Sequence, residues 1–362
     1  MPTQAGKPSN RLLLSRRFPP CDQHLETFAR LHGLDLELLS GARTHRTSPQ
    51  RPIRDAYGIH RGGAAPTRQS GEPGLPLSAV AVPKRLQFGN SVAQIGQAIA
   101  ICDSLGIRHL HLPGYWYLSR GRSHCRSGLM VRNRKRLNLR REELVLSGGF
   151  FHRLSLAPVY AGKPNLLRIM HRHRDLLALP KALPALAEDD LVVHLRSGDL
   201  FNNPHPHPGY GQPPLAYYLA ILHSRPWRSV TLVFEDEGNP VIAALRAAVL
   251  HLDVPLRCAS GSLSDDLAVL LSARTLVSGT GTFTSAVSAL SRHLGTVYSF
   301  ERRFDPWGSP GLRTVALLDS RGSYVRRLMR RNWANTAGQR QLMLRYPQAA
   351  IVFAAAAPRQ GA

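Results

Sequence analysis

Residues 191–234 read LVVHLRSGDLFNNPHPHPGYGQPPLAYYLAILHSRPWRSVTLVF. The first six residues are a short β-branched and apolar run, which predicts a buried strand over 191–196. Paired prolines open an unbroken helical stretch over 213–223, where proline suits a first turn. A second strand follows over 230–234. The alternation then continues: helix 240–251, strand 254–258, helix 264–273, strand 275–278, helix 282–293 and strand 296–300. Strands alternating with helices across short Gly- and Ser-rich turns imply a parallel sheet wrapped by helices. In such sheets ligands bind beyond the carboxyl ends of the strands, so the polar residues just after each strand are the ones to examine.

Working outward, residues 79–88 (AVAVPKRLQF) have strand character, Gly89-Asn90 makes a turn, and 91–105 shows helical spacing with Ser91 as its N-cap. Gly106 ends that helix, and 107–112 (IRHLHL) alternates like a strand, completing a βαβ unit. A further strand is expected within 143–151 (ELVLSGGFF), and the most basic stretch is 120–141. Proline-interrupted residues 176–188 read as a connector between domains. The expected organisation is an irregular lead-in over 1–77 with a short helix within 24–40, an α/β domain over 78–188, a second over 189–346, and a flexible tail over 347–362. A basic helix over 324–346 closes the second domain.

The 362 residues are 43% hydrophobic, enough for two ordinary domains and too apolar for a disordered chain. The formal charge is +24, from 47 Lys+Arg against 23 Asp+Glu, and only five of the cations are lysines. An excess of this kind attracts nucleotides, nucleic acid or an anionic membrane surface, although compositional bias in an Ala-, Arg- and Pro-rich chain also contributes. The four cysteines, Cys21, Cys102, Cys125 and Cys258, stand far apart, which argues against a zinc ribbon and for free thiols in a reducing compartment. No apolar run approaches the ~18–20 residues of a membrane span. The expected location is cytoplasmic, with the basic surface available to the inner face of a membrane.

The strongest chemical signal is His194-Leu195-Arg196-Ser197-Gly198-Asp199, at the end of the first strand of the second domain. Arg196 offers a planar fork of donors for phosphate oxygens. Gly198 admits a close backbone approach. Asp199 could orient Arg196, act as a base or cap the next segment, and a plain Arg–Asp pair ending a strand is the alternative to a site. Gly281-Thr282-Phe283 at a helix start suits an anion, since amide groups, a hydroxyl and the helix dipole face it there. An ordinary capping threonine with a core phenylalanine is the competing reading. His205 and His207 lack nearby carboxylates or cysteines at metal-ligand spacing, and no DxD signature ends a strand, so no metal is expected.

These motifs, in this order, resemble the superfamily that holds the α1,2- and α1,6-fucosyltransferases and the protein O-fucosyltransferases. HLRSGD at 194–199 is similar to its HxRxGD signature, VFED at 233–236 to its second, and 265–291 (DDLAVLLSARTLVSGTGTFTSAVSALS) to its third. The stretch 210–215 (YGQPPL) resembles the continuation seen in some branches, and Phe88-Gly89-Asn90 resembles the family's Gly-Asn turn. Ser197 stands where the family often has Arg or Thr, and Ser285–Val287 where it has a Trp pair.

The resemblance implies two Rossmann-like domains facing a cleft, the GT-B arrangement of glycosyltransferases, with 78–188 on the acceptor side and 189–346 binding the sugar nucleotide. It implies an inverting, metal-independent transfer of fucose from GDP-fucose to a hydroxyl of a glycan or lipid-linked oligosaccharide, as in bacterial polysaccharide biosynthesis. Arg196 would meet the β-phosphate, with His194 and Asp199 as further catalytic candidates. Gly89, Asn90, Asp236, Asp266, Gly281, Thr282 and Phe283 would complete the donor site. Two other classes stay open: a protein binding nucleic acid or another anionic surface through charge alone, which lacks any recognised nucleic-acid motif, and a transferase using another donor or an inactive relative.

Overall fold

Short apolar runs cut by proline and glycine give short strands, and the chain carries many of both. A computed structural model describes residues 22–31, 57–61, 77–119, 121–125, 127–134, 144–149, 166–173, 176–179, 183–304, 307 and 311–354. The chain divides into two compact units, Met1–Ala178 and Leu179–Ala362, and the division falls inside the proline-interrupted connector. No helix among the described residues is long and apolar enough to cross a membrane.

The first unit contains α1 (Asp22–Leu31), β1 (Gly58–Arg61), β2 (Ala79–Ala81), α2 (Phe88–Leu105), β3 (His109–Leu112), β4 (Gly121–His124), β5 (Met130–Asn133), β6 (Leu144–Ser147) and α3 (Leu166–Arg172). Its sheet runs β1-β6-β2-β3-β5-β4. The four central strands are parallel, and β1 and β4 add antiparallel edges. Two expectations are corrected here. The lead-in holds a strand, β1, beside the short helix expected there, which is α1, and α1 packs against β1. Residues 79–88 are not one strand: β2 stops ahead of Pro83, which cannot donate to a ladder.

The helix then starts earlier than expected. Gln87 is its N-cap residue, so Gly89 and Asn90 form the first turn of α2 rather than a separate turn. Ser91 lies inside the helix, where its hydroxyl donates to Phe88 O at 2.8 Å instead of capping. Gly106 does end α2, in the left-handed conformation at φ 66°. Residues 143, 150 and 151 of the strand expected within 143–151 lie outside the described residues, as does Cys21; Cys102 and Cys125 are buried and Cys258 is exposed.

The second unit contains β7 (Asp190–Leu195), α4 (Leu215–Leu222), β8 (Ser229–Phe234), α5 (Val241–His251), β9 (Leu256–Ala259), α6 (Leu263–Ser272), β10 (Thr275–Val277), α7 (Phe283–Leu290), β11 (Thr296–Phe300), β12 (Arg313–Asp319), α8 (Ser323–Leu328), α9 (Ala337–Arg345) and β13 (Ile351–Phe353). The order β13-β12-β11-β10-β7-β8-β9 is parallel except for β13. From β7 the chain steps outward through β8 and β9, then returns to the other side of β7 and steps away through β10, β11 and β12. This is the doubly wound order, and its switch point lies between β7 and β10.

Alternation along β7 sends Leu191, Val193 and Leu195 into one core, with Tyr217, Tyr218 and Ile221 of α4, Leu245 of α5, and Tyr324, Trp333 and Met343 from the carboxyl-terminal region. Trp333 is fully buried, and its indole N–H donates to Leu200 O at 3.2 Å. Burial of a side chain of this size contributes roughly 2–3 kcal/mol. On the amino edge of the sheet, Arg228 pairs with the buried Asp190 carboxylate, so the Asp189-Asp190 pair is structural and lies at the end of β7 away from Arg196.

The closing basic segment is two helices rather than one. A capping box in which the Thr336 hydroxyl accepts from Gln339 N, and the Gln339 side chain accepts from Thr336 N, restarts the helix at Ala337. Arg330, Arg331 and Asn335 take positive φ in the intervening turn. The expected flexible tail is also corrected: β13 pairs antiparallel with β12, Ile351 opposite Asp319 and Phe353 opposite Leu317.

Candidate functional site

Arg196 directly follows β7, and Thr280-Gly281-Thr282 link β10 to α7. The sheet order brings these two segments side by side at the switch point. The Arg196 guanidinium donates to Thr280 O at 3.5 Å and to Asp199 Oδ1 at 3.3 Å, and lies over the Tyr210 ring, 4.5 Å from its centre. Gly281 has φ 140°, and a Cβ there would fall 2.7 Å from Arg196 Nη1. The glycine is therefore what lets arginine and turn approach. Thr282 is the residue before α7 and makes no side-chain cap, so this helix begins without the usual hydroxyl over its first amides.

Gln212, fully buried, fixes the turn. Its Nε2 donates to Tyr210 O at 2.8 Å and Thr280 O at 3.3 Å, and its Oε1 accepts from Thr280 N at 3.1 Å. His194, one residue before β7 ends, stacks its ring on Phe283 with centres 4.8 Å apart, and Nδ1 is 3.4 Å from Thr284 Oγ1. Burial, and then the charge of Arg196, push its pKa down to about 4, so the ring is neutral at pH 7.

The neighbouring strand end supplies carboxylates in two different states. Asp236 Oδ1 accepts from Ser197 Oγ at 2.5 Å and Gly238 N at 2.8 Å, and Oδ2 from Asn202 Nδ2 at 2.7 Å. Burial raises its pKa, and these hydrogen bonds more than offset that, so it lies below the ordinary value. Asp236 thus clamps the loop after β7, with Asn239 N donating to Ser197 Oγ and Asn239 Nδ2 to Arg196 O. Glu235 is exposed and is held above its ordinary value, by desolvation first and then by Asp236 and Asp199. It lies against Gly198, where φ is 54° and a Cβ would fall 2.0 Å from Glu235 Oε2.

Asp266 is buried in the first turn of α6, accepts from Gly261 N at 3.3 Å, and is raised by burial and by the charges of Asp265 and Glu235. The fold therefore gathers Arg196, Asp199, Glu235 and the Gly281 turn at the carboxyl edge of one sheet, with His194, Phe283 and Asp236 beneath or beside them. Gly89 and Asn90 belong to the other unit, in the first turn of α2. His205 and His207 are exposed, and His207 Nδ1 accepts from Gly209 N at 3.1 Å. Among the described residues no group of three or more His, Cys, Asp or Glu side chains is placed to hold a metal ion.

Three contributors were not singled out from sequence. Gln212 lay within a quoted motif, but a glutamine between glycine and proline carries no signal of burial. Glu235 and Asp236 both follow β8, and the sequence pattern does not separate them. Asn239 before Pro240 is an Asx-turn signal, and Val241 N does donate to its Oδ1 at 3.0 Å. Scans of the chain against protein-family models, curated proteins and solved structures find no match.

Proposed function

We propose that the second unit binds a nucleoside diphosphate sugar at the β7/β10 switch point and that the protein is an inverting glycosyltransferase using GDP-fucose. The observation that carries this reading is the placement of Arg196 against the glycine turn that opens α7, at the crevice where doubly wound sheets take nucleotides. A guanidinium and a helix start converging on one point suit a diphosphate, and both would stabilise it as a leaving group.

In this reading the diphosphate lies across Arg196 and the 281–283 amides. Glu235, at the end of the strand next to β7, accepts from the ribose hydroxyls, the position from which doubly wound sheets offer an acid to the ribose. Asp236 and Asp266 hold the surrounding loops, and His194 supports the turn through Phe283. Asp199 has a side chain 57% exposed and is the candidate base for the acceptor hydroxyl. The hydroxyl oxygen bonds to the anomeric carbon as the bond to the diphosphate oxygen breaks; its proton passes to Asp199 and configuration inverts.

Calorimetry of GDP binding in EDTA, with the native chain and Arg196→Ala, tests the site. GDP binding weakened by at least about a hundredfold in the variant is expected, as for loss of an oxyanion donor worth ~3 kcal/mol. Absence of GDP binding, or binding equal in both proteins, overturns it, and binding of UDP in preference to GDP removes the fucosyl assignment alone. Turnover of GDP-fucose with a panel of glycan acceptors then tests the transfer.

A further inference from the structure

The α8–α9 corner of the second unit carries a feature that the nucleotide site does not use. Residues 320–346 contain seven arginines and no carboxylate. The turn between the helices encloses a depression of about 350 Å³, lined by Arg326, Arg327, Asn332, Thr336, Gly338 and Gln339 among others. Its amide groups are already engaged: Asn332 Nδ2 donates to Arg326 O, Gln339 Nε2 donates to Asn332 O, and Gln339 Oε1 accepts from Ala334 N. The capping box occupies the Thr336 hydroxyl.

Arg340 is committed to Asn335 Oδ1 and Phe201 O. Arg326 and Arg327 are exposed, and neither makes an ion pair among the described residues. The nearest carboxylate in sequence, Asp319, is taken up by Arg321 N, Tyr324 N, Val325 N and Tyr346 Oη. The carboxyl end of α8 tolerates this concentration of cations, because the helix dipole favours positive charge there.

We propose that this depression is a second anion site, in which Arg326 and Arg327 clamp a phosphate group. Two guanidinium forks with no internal counter-charge at a concave, otherwise satisfied wall suit a compact, multiply charged oxyanion. Trp333 is buried and no aromatic face lines the depression, so a terminal phosphate or diphosphate fits it better than a nucleic-acid strand, which uses base stacking. The phosphate belongs either to a soluble phosphorylated compound or to a lipid headgroup.

The test titrates inorganic pyrophosphate into the full chain carrying Arg196→Ala, which removes the first site, and compares it with that chain carrying in addition R326Q/R327Q or G338E. Gly338 is exposed and a Cβ there would meet nothing within 4 Å, so glutamate at that position places a carboxylate in the depression without touching the core. Pyrophosphate binding weakened about tenfold or more by both changes is expected, as for lost charge-assisted hydrogen bonds. Sedimentation with phosphatidylcholine vesicles, with and without phosphatidic acid, separates the sources. Phosphatidic-acid-dependent binding lost in G338E assigns a headgroup, whereas a response to pyrophosphate alone assigns a soluble ligand. Binding of both probes unaffected by either change overturns the proposal, as does the absence of binding to either probe.

Discussion

Gly198, in the turn after β7, packs against Glu235, at the end of β8, so closely that a side chain at 198 would take Glu235's space. Gly198→Ala adds a methyl group where Glu235 Oε2 would be 2.0 Å away, at a φ of 54°. We expect a loss of about 1–3 kcal/mol of stability in urea denaturation, with nucleotide binding weakened because Glu235 must move. Glu235→Gln keeps the fold and separates two halves of the ligand. Pyrophosphate binding should be unchanged while GDP binding falls about tenfold, the consequence of losing one charge-assisted hydrogen bond to the ribose. Equal weakening of both ligands would reject the ribose assignment. At this scale the sequence placed Arg196 at the end of β7 beside Asp199, and the Arg–Asp pair that was the alternative to a site is present at 3.3 Å. The sequence could not rank Glu235 against Asp236. Their difference is which loop amides reach which carboxylate, and that is a tertiary property.

Elements differ in how well the sequence marked them. From β7 to β11 the strands and helices of the second unit follow apolar runs bounded by Gly, Pro and Ser and lie within a few residues of expectation, whereas β12 was not expected. In the first unit β2 keeps only three of ten expected residues, because Pro83 interrupts the ladder while Gln87 permits an early helix start. No residue pattern announced β1 or β13, whose pairing is non-local. The strands also carry a pH response. His111 on β3 is buried, and its pKa is pushed down to about 3 by burial, then by Arg132 and His109; His194 on β7 is pushed down to about 4. Both values lie below the unfolded one, so the unfolded chain takes up protons first as the pH falls. The stability held by the neutral rings is whole above the unfolded value and is lost toward the folded ones. Between about pH 7 and about pH 5 each ring should cost roughly 2 kcal/mol, read as a falling urea midpoint. His111→Leu should flatten its share of that slope, and an unchanged slope would show that the ring is not the source.

For the whole molecule, the site assembled around Arg196 draws its side chains from 194–283, within one unit. Expressed alone, residues 179–362 should fold, keep the β7–β13 sheet and bind GDP within about tenfold of the intact chain, a difference of about 1.4 kcal/mol. A larger loss would give Gly89 and Asn90 of the first unit a part in donor binding, as the family resemblance implies. Removing residues 347–362 should lower the thermal midpoint of the second unit, since β12 loses its antiparallel partner and Ala350 O no longer accepts from Ser320 N.

The switch point also sets a timetable. β7 lies inside its sheet, and β8 follows it within about forty residues of chain, but its other neighbour, β10, follows only after β9 and α6. During synthesis one edge of this largely buried strand therefore waits, with its amides and carbonyls unpaired, for a partner not yet made. Pairings this distant along the chain slow folding and lengthen exposure to aggregation. Recovery of this protein should consequently depend on how fast it is made: slower translation at lower temperature, or added chaperone, raises the soluble fraction before any residue of the site is touched.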